Sequence, residues 1–260
     1  MATVSFCGAK LQQFFDICKS LGTFQRKNEG KAHADLRNSE KSSTFAQKMR
    51  ETIVIFDLGG VLINLNVNRC MRAFEALMGE ENMRTVMGMD INGEGVRAVS
   101  ITTKQLMMDF EHGLISTDAF VDQVLRFCHP GTTAQQVVDA WMSMLEELPK
   151  ERLDIVDRVR QNVRNVYLLS NGNDLHFDFI NQTYQLAPHF DGLFLSQKMH
   201  MAKPETDMYR AVNEQISSGM SEKTNVLFVD DIAANREAAE KTVGWTTFPD
   251  IDSVVSYLNL

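Results

Sequence analysis

Three apolar runs in this chain end on side chains that can do chemistry. Ile53-Val54-Ile55-Phe56 closes on Asp57, Val166-Tyr167-Leu168-Leu169 on Ser170-Asn171, and Val226-Leu227-Phe228-Val229 on Asp230-Asp231. A shorter run, Leu193-Phe194-Leu195, precedes Lys203-Pro204. Unbroken apolar runs rich in β-branched residues are the pattern of strands buried on both faces, as in a parallel sheet covered by helices. Parallel strands point their carboxyl ends to one edge, so these groups are expected to converge there despite their separation in sequence. The gathered set is a carboxylate, a hydroxyl, an amine and a carboxylate pair. Several carboxylates cannot share a dry cleft as anions unless a divalent cation or strong pKa shifts accompany them. Oxygen ligands without His or Cys favour magnesium. Each motif also has a plain reading: Asp57 as a turn residue, Asp231 as a helix cap, Lys203 as a solvated lysine. It is their common order at strand ends that favours a site.

The elements that must position these groups follow from periodicity and stop signals. After the first strand the pattern turns helical and stays so to about Glu147. Asn68 to Met78 reads as a helix closing on Gly79 and Thr102 to His112 as one ending on Gly113. Ser116 can cap Asp118 to Cys128, and Thr133 with Gln136 forms a capping box for a helix to Glu147. Such a stretch of helix directly after one strand predicts a small separate bundle at 65–147. Strands and helices then alternate to the C-terminus, with helices at Lys150 to Asn162, Asp174 to Leu186, Pro204 to Ser217, Asn235 to Val243 and Ser253 to Leu258. Pro204 is expected at the first helical position. The alternation predicts an α/β, doubly wound parallel sheet formed by 51–64 and 148–260.

Residues 1–50 differ from the rest. Leu11, Phe14, Phe15, Cys18 and Leu21 recur at helical spacing, after which Gln25 to Arg50 is polar, so this part is expected to be a largely disordered extension. It has no apolar segment with a small-residue cleavage site, as a secretory signal would. Met49, next to the first strand, is a candidate start of translation that an intact-mass measurement would test.

Charge narrows the function classes. The net charge is −8, and residues 1–50 carry 9 Lys and Arg against 4 Asp and Glu, which leaves the remainder at −13. An acidic body argues against nucleic acid as a partner. No run approaches the ~18 apolar residues that a membrane span needs. Cys7, Cys18, Cys70 and Cys128 have no C-x-x-C spacing, which fits reduced thiols and a cytoplasmic location. If the chain handles a phosphate it does so in a pocket, and neither nucleic acid nor a membrane is an expected partner.

From about Thr52 onward the chain resembles the haloacid dehalogenase-like superfamily of phosphatases, on Phe56-Asp57-Leu58-Gly59-Gly60-Val61, Leu169-Ser170-Asn171, Lys203-Pro204 and Val229-Asp230-Asp231. The helical stretch is similar to the small cap inserted in one subclass. Asp57-Leu58-Gly59 with Phe110-Glu111-His112-Gly113-Leu114-Ile115-Ser116 resembles the branch of bacterial α-glucose-1-phosphatases. The resemblance implies a Rossmann-like core, magnesium-dependent hydrolysis of a small phosphorylated metabolite such as a sugar phosphate, and an aspartyl-phosphate intermediate on the nucleophile Asp57. It implies metal ligation by Asp57, the Gly59 carbonyl and Asp231, with Asp230 as a supporting or alternative ligand. Ser170, the Asn171 N–H and Lys203 would hold the phosphoryl group, and Asn235 would orient a metal-bound water or Asp231.

One departure stands out. Most phosphatases of this superfamily carry a second Asp two residues after the nucleophile as general acid and base, and here that residue is Gly59. Asp90 and Glu94 are candidate stand-ins from the lid. Two other functions compete: a metal-independent haloacid dehalogenase, disfavoured by the clustered acids, and a catalytically degenerate binding protein. A receiver domain carries its acidic pair on the first strand, whereas here the pair follows a late one.

Overall fold

The computed structural model describes residues 49–86, 105–217 and 224–260. The extension expected at 1–50 therefore lies outside the described residues up to 48, as do Asp90 and Glu94. Five strands form one sheet: β1 (Thr52–Phe56), β2 (Asn165–Ser170), β3 (Gly192–Leu195), β4 (Asn225–Val229) and β5 (Thr246–Phe248). Their order is β3-β2-β1-β4-β5 and every neighbouring pair is parallel. Going out from β1, the chain first builds β2 and β3 on one side, then β4 and β5 on the other. The strand order thus reverses between β1 and β4, the place where open α/β sheets hold ligands.

Burial on both faces explains why the strands read as unbroken apolar runs. Side chains alternate along a strand: Val54, Phe56, Leu168 and Leu227 face one core, Ile53, Ile55, Leu169 and Phe228 the other. The first core is closed by α5 (Lys150–Asn162), α6 (Asp174–Tyr184) and α10 (Ile251–Leu258), the second by α8 (Thr206–Ile216) and α9 (Ala233–Val243). A short helix, α7 (Ser196–Met199), follows β3.

Between β1 and β2 lie the inserted helices: α1 (Val67–Val86), α2 at residues 105–111, α3 (Thr117–Leu125) and α4 (Ala134–Met142). They enclose a core of their own from Val67, Phe74, Met78, Phe110, Phe120 and Val137. Ser116 caps α3 and the Thr133–Gln136 capping box opens α4, as their spacing predicts. The chain enters and leaves this bundle through a two-stranded neck in which Leu65 pairs with Leu145. Arg69 ties the neck by donating to the carbonyls of Ser143 at 2.5 Å and Leu145 at 2.7 Å.

Gly79, where the sequence places the end of the first inserted helix, is non-helical with a φ of 78° and ψ of 161° and separates two helical stretches of α1; Met83, in the second, is buried in the bundle core. Other boundaries differ from the sequence reading. The α4 helix stops at Met142, where the neck begins. Glu205 is extended (φ −63°, ψ 132°) and Thr206 opens α8, so Pro204 belongs to the loop that presents Lys203 and is not the first helical residue. Among the described residues no helix is long and apolar enough to cross a membrane.

Candidate active site

Asp57 is the first residue beyond β1, and the sheet register carries it to the level of Asp230: its N–H donates to the Val229 carbonyl at 2.8 Å. The Asp57 side chain is nearly buried, with Oδ1 accepting from the Leu58 N–H at 2.6 Å and from Lys203 Nζ at 2.8 Å. The same ammonium contacts Asp230 Oδ2 at 2.7 Å and lies 5.6 Å from the centre of the Phe228 ring. Lys203, read from sequence as either a site group or a solvated lysine, is 3% exposed.

Asp230 is wholly buried and well partnered. Its Oδ1 accepts from the Ile232 N–H at 2.9 Å, and Asn235 Nδ2 lies 3.1 and 3.0 Å from its two oxygens. Asn235 is set in turn by Tyr209, whose hydroxyl donates to its carbonyl at 2.9 Å. Asn235 thus holds Asp230, a partner the sequence reading, which named a metal-bound water or Asp231, did not give it. Asp231 stands exposed at the rim beside Gly60. Gly60 has a φ of +77°, and a Cβ there would lie 2.4 Å from Asp231 Oδ2. Only a residue without a side chain fits the turn and leaves that carboxylate in place.

Asp57, Asp230 and Asp231 each bring a carboxylate oxygen within 4.8 Å of the others. Octahedral magnesium with ligands at about 2.1 Å separates its oxygens by roughly 3–4 Å, so this donor set fits such an ion with a small closing movement. Asp57 and Asp231 are the carboxylates best placed to bind it, since both Asp230 oxygens are already engaged. Gly59 lies in the same turn, bridged to Ile63.

The electrostatics agree with a site short of positive charge. Burial first, then the charges of Asp230 and Asp231, push the Asp57 carboxyl well above the usual range against the opposing pull of Lys203. Partial desolvation and Asp230 push Asp231 up to about 6. Burial disfavours the Lys203 ammonium, but Asp230 and Asp57 outweigh it and hold its pKa above the usual value.

On the other side of β1, Ser170 ends β2 and is 4% exposed. The Asn171 carboxamide is engaged with the backbone of Lys203, donating to its carbonyl and accepting from its N–H, each at 2.8 Å. Sequence reasoning gave Asn171 only a backbone role. At Gly59 a Cβ would lie 2.8 Å from the tip of the Leu65 side chain, Cδ1, a neighbour the sequence does not reveal. Arg69 is held in the neck by the Ser143 and Leu145 carbonyls.

The inserted bundle meets this edge of the sheet through the turn after α2. Ser196 Oγ donates to the Glu111 carbonyl at 2.7 Å, His200 Nδ1 lies 2.8 Å from the His112 carbonyl, and His112 Nε2 lies 3.1 Å from Glu205 Oε1. A second seam stacks Trp141 of α4 on His176 of α6 at 5.4 Å. The groove of about 1140 Å³ lined by Asp139, Met142, Glu146, Leu175 and Phe179 contains none of the converging groups. It is not where the chemistry lies.

The profile of the haloacid dehalogenase-like hydrolases matches residues 52–241. The chain belongs to this family. Among relatives of this hydrolase is the D-ribitol-5-phosphate phosphatase of Bacteroides thetaiotaomicron, 24% identical over 201 residues, which span 75% of this chain and 89% of the relative. Among solved structures, a haloacid dehalogenase-family enzyme from Bacteroides thetaiotaomicron, complexed with magnesium and inorganic phosphate, is similar at 30% identity. Its TM-score is 0.61, with 76% of this chain and 92% of that one covered. A family hydrolase from Porphyromonas gingivalis is similar at 29% identity and a TM-score of 0.64, with 82% and 99% covered.

Proposed function

We propose that this hydrolase is a magnesium-dependent phosphomonoesterase acting on a small phosphorylated metabolite of the sugar or sugar-alcohol class. The observation that carries the reading is the meeting of Asp57, Asp230 and Asp231 around Lys203 at the strand-order reversal, with Ser170 on the adjoining strand. Dehalogenation needs no metal, and a metal-free site gains nothing from three clustered acids. The similarity to a polyol-phosphate phosphatase and to an enzyme solved with magnesium and phosphate supports the substrate class and the ion.

In this mechanism an Asp57 oxygen attacks phosphorus, the ester P–O bond breaks, and the leaving oxygen takes a proton from solvent water. Water then attacks the aspartyl-phosphate, releasing inorganic phosphate and restoring the carboxylate. Ser170 and the Asn171 N–H hold the phosphoryl oxygens, and Lys203 offsets charge that builds on them. Asp57, the Gly59 carbonyl and Asp231 would hold magnesium, which would supply the positive charge that lets a carboxylate approach a phosphate dianion. Asp230 holds Lys203 in place, with Asn235 fixing Asp230. Residues 51–64 and 148–260 form the catalytic core and 65–147 the cap that selects the leaving group.

With Gly59 at the acid's position and Leu65 over it, turnover should depend steeply on how easily the leaving group departs. Phosphate release from a panel of sugar, polyol and aryl phosphates, with magnesium or with EDTA, tests the proposal, with Asp57→Asn as control. Release that needs both magnesium and Asp57, and is fastest for aryl esters, is expected. EDTA-insensitive halide release from 2-haloacids without phosphate release would overturn it.

A further inference from the structure

The Asn171 carboxamide spends both of its strong hydrogen-bonding functions on one residue 32 positions away: Nδ2 donates to the Lys203 carbonyl and Oδ1 accepts from the Lys203 N–H, each at 2.8 Å. That is the pairing a neighbouring strand would give, supplied here by a side chain. Lys203 needs it because residues 200–205, between α7 and α8, are neither helix nor strand. The hydrogen bonds within that loop, from the Glu205 N–H to the Ala202 carbonyl and from the Ala202 N–H to Glu205 Oε2, close it on itself without fixing it to β2. At the far end of Lys203 the ammonium must reach both Asp57 Oδ1 at 2.8 Å and Asp230 Oδ2 at 2.7 Å. A lysine presents a point charge on a flexible four-carbon stem, so the location of its charge depends on where its backbone is held.

We propose that Asn171 is a positioning residue for Lys203: its side chain clamps the lysine backbone so that the ammonium meets the phosphoryl group, and the cost of losing the clamp passes through that ammonium. The proposal rests on the phosphatase reading for its kinetic form. A displacement of about 1 Å at a catalytic group can cost on the order of 10²-fold in rate. Asn171→Ala is therefore expected to lower kcat about 10- to 100-fold, with KM moving less than about threefold, the pattern of an interaction realised in the transition state.

A double-mutant cycle on p-nitrophenyl phosphate with magnesium tests it. In a Lys203→Gln background, Asn171→Ala should cost less than about twofold. Costs that multiply as in the wild type would overturn the proposal, because the side chain would then act on the substrate or through its own N–H. If the wild-type protein turns over no phosphate ester, the functional reading fails by itself. The cycle is then read on inorganic phosphate binding by calorimetry, where the same loss of additivity is expected and additivity refutes. Should Lys203→Gln not fold, the ¹⁵N ammonium resonance of Lys203 decides: sharp in the wild type, it should broaden or vanish in Asn171→Ala, and an unchanged signal would overturn the clamp.

Discussion

Asp57→Asn should abolish turnover and make the metal-free protein more stable. In the wild type, Asp57 gains attraction from Lys203 at 2.8 Å, worth about 6 kcal/mol at an effective dielectric constant of ~20. Against it stand Asp230 and Asp231, with carboxylate oxygens no farther than 4.8 Å. The buried Asp230 contributes at least about 3.5 kcal/mol of repulsion at the same dielectric constant, and the exposed Asp231 about 1 kcal/mol in bulk water. The pairwise sum is thus a net attraction of roughly 1.5 kcal/mol, below the several kcal/mol it costs to bury a carboxylate. Asparagine keeps an oxygen for the Leu58 N–H and leaves Lys203 paired with Asp230. The expected gain is about 1–3 kcal/mol, or ~2–12 °C in Tm for a protein of this size, read by calorimetry in EDTA at pH 7.5. The pH dependence provides a second check. A carboxyl whose folded pKa is raised binds more protons folded than unfolded, so its stability contribution is present below the unfolded pKa and is lost as pH rises through the folded one. The gap between variant and wild type should therefore close near pH 4 and open with rising pH. Magnesium should narrow it at pH 7.5 by binding the folded wild type. A variant that melts below the wild type in EDTA, or a gap that does not change with pH, would refute the reasoning.

Three further outcomes follow from the same geometry. Lys203→Met leaves Asp57 and Asp230 buried without a cation and should cost about 3–5 kcal/mol in chemical denaturation without metal, with part of the loss recovered on adding magnesium. Gly60→Ala puts a Cβ 2.4 Å from Asp231 Oδ2, and calorimetry should show magnesium affinity about 10- to 100-fold weaker while circular dichroism stays native. Gly59→Asp alone drives a Cβ to 2.8 Å from Leu65 Cδ1 and should destabilise by about 1–3 kcal/mol. Combined with Leu65→Ala it should speed hydrolysis of alkyl phosphates at least ~10-fold, a fraction of the 10²–10⁴ a general acid typically provides.

What could be read from the chain was whatever depends on one residue's own chemistry or on a local period. Ile53 to Phe56 announced a strand covered on both faces because burial removes the need for polar alternation, and Thr133 with Gln136 announced a helix start because the capping box closes within one turn. The converging groups were legible for a similar reason: parallel strands share a direction, so Asp57, Ser170 and Asp230 had to reach one rim. What stayed hidden depends on partners that the sequence does not place. Pro204 carries a helix-start signal, but Glu205 is extended and α8 opens at Thr206. Nothing local tells Asn235 to hold Asp230, or Asn171 to spend its amide on the backbone of Lys203. The substitution at residue 59 shows the limit most sharply. From sequence, Gly59 is only a missing carboxylate. In the fold, the neck residue Leu65 brings its Cδ1 to 2.8 Å from where a Cβ at 59 would stand, and Leu65 packs against both the sheet core and the bundle core. A side chain at 59 would therefore have to displace the tip of Leu65, a neighbour that no local pattern places there, because the neck contact is made by a residue whose own partners lie in two separate cores.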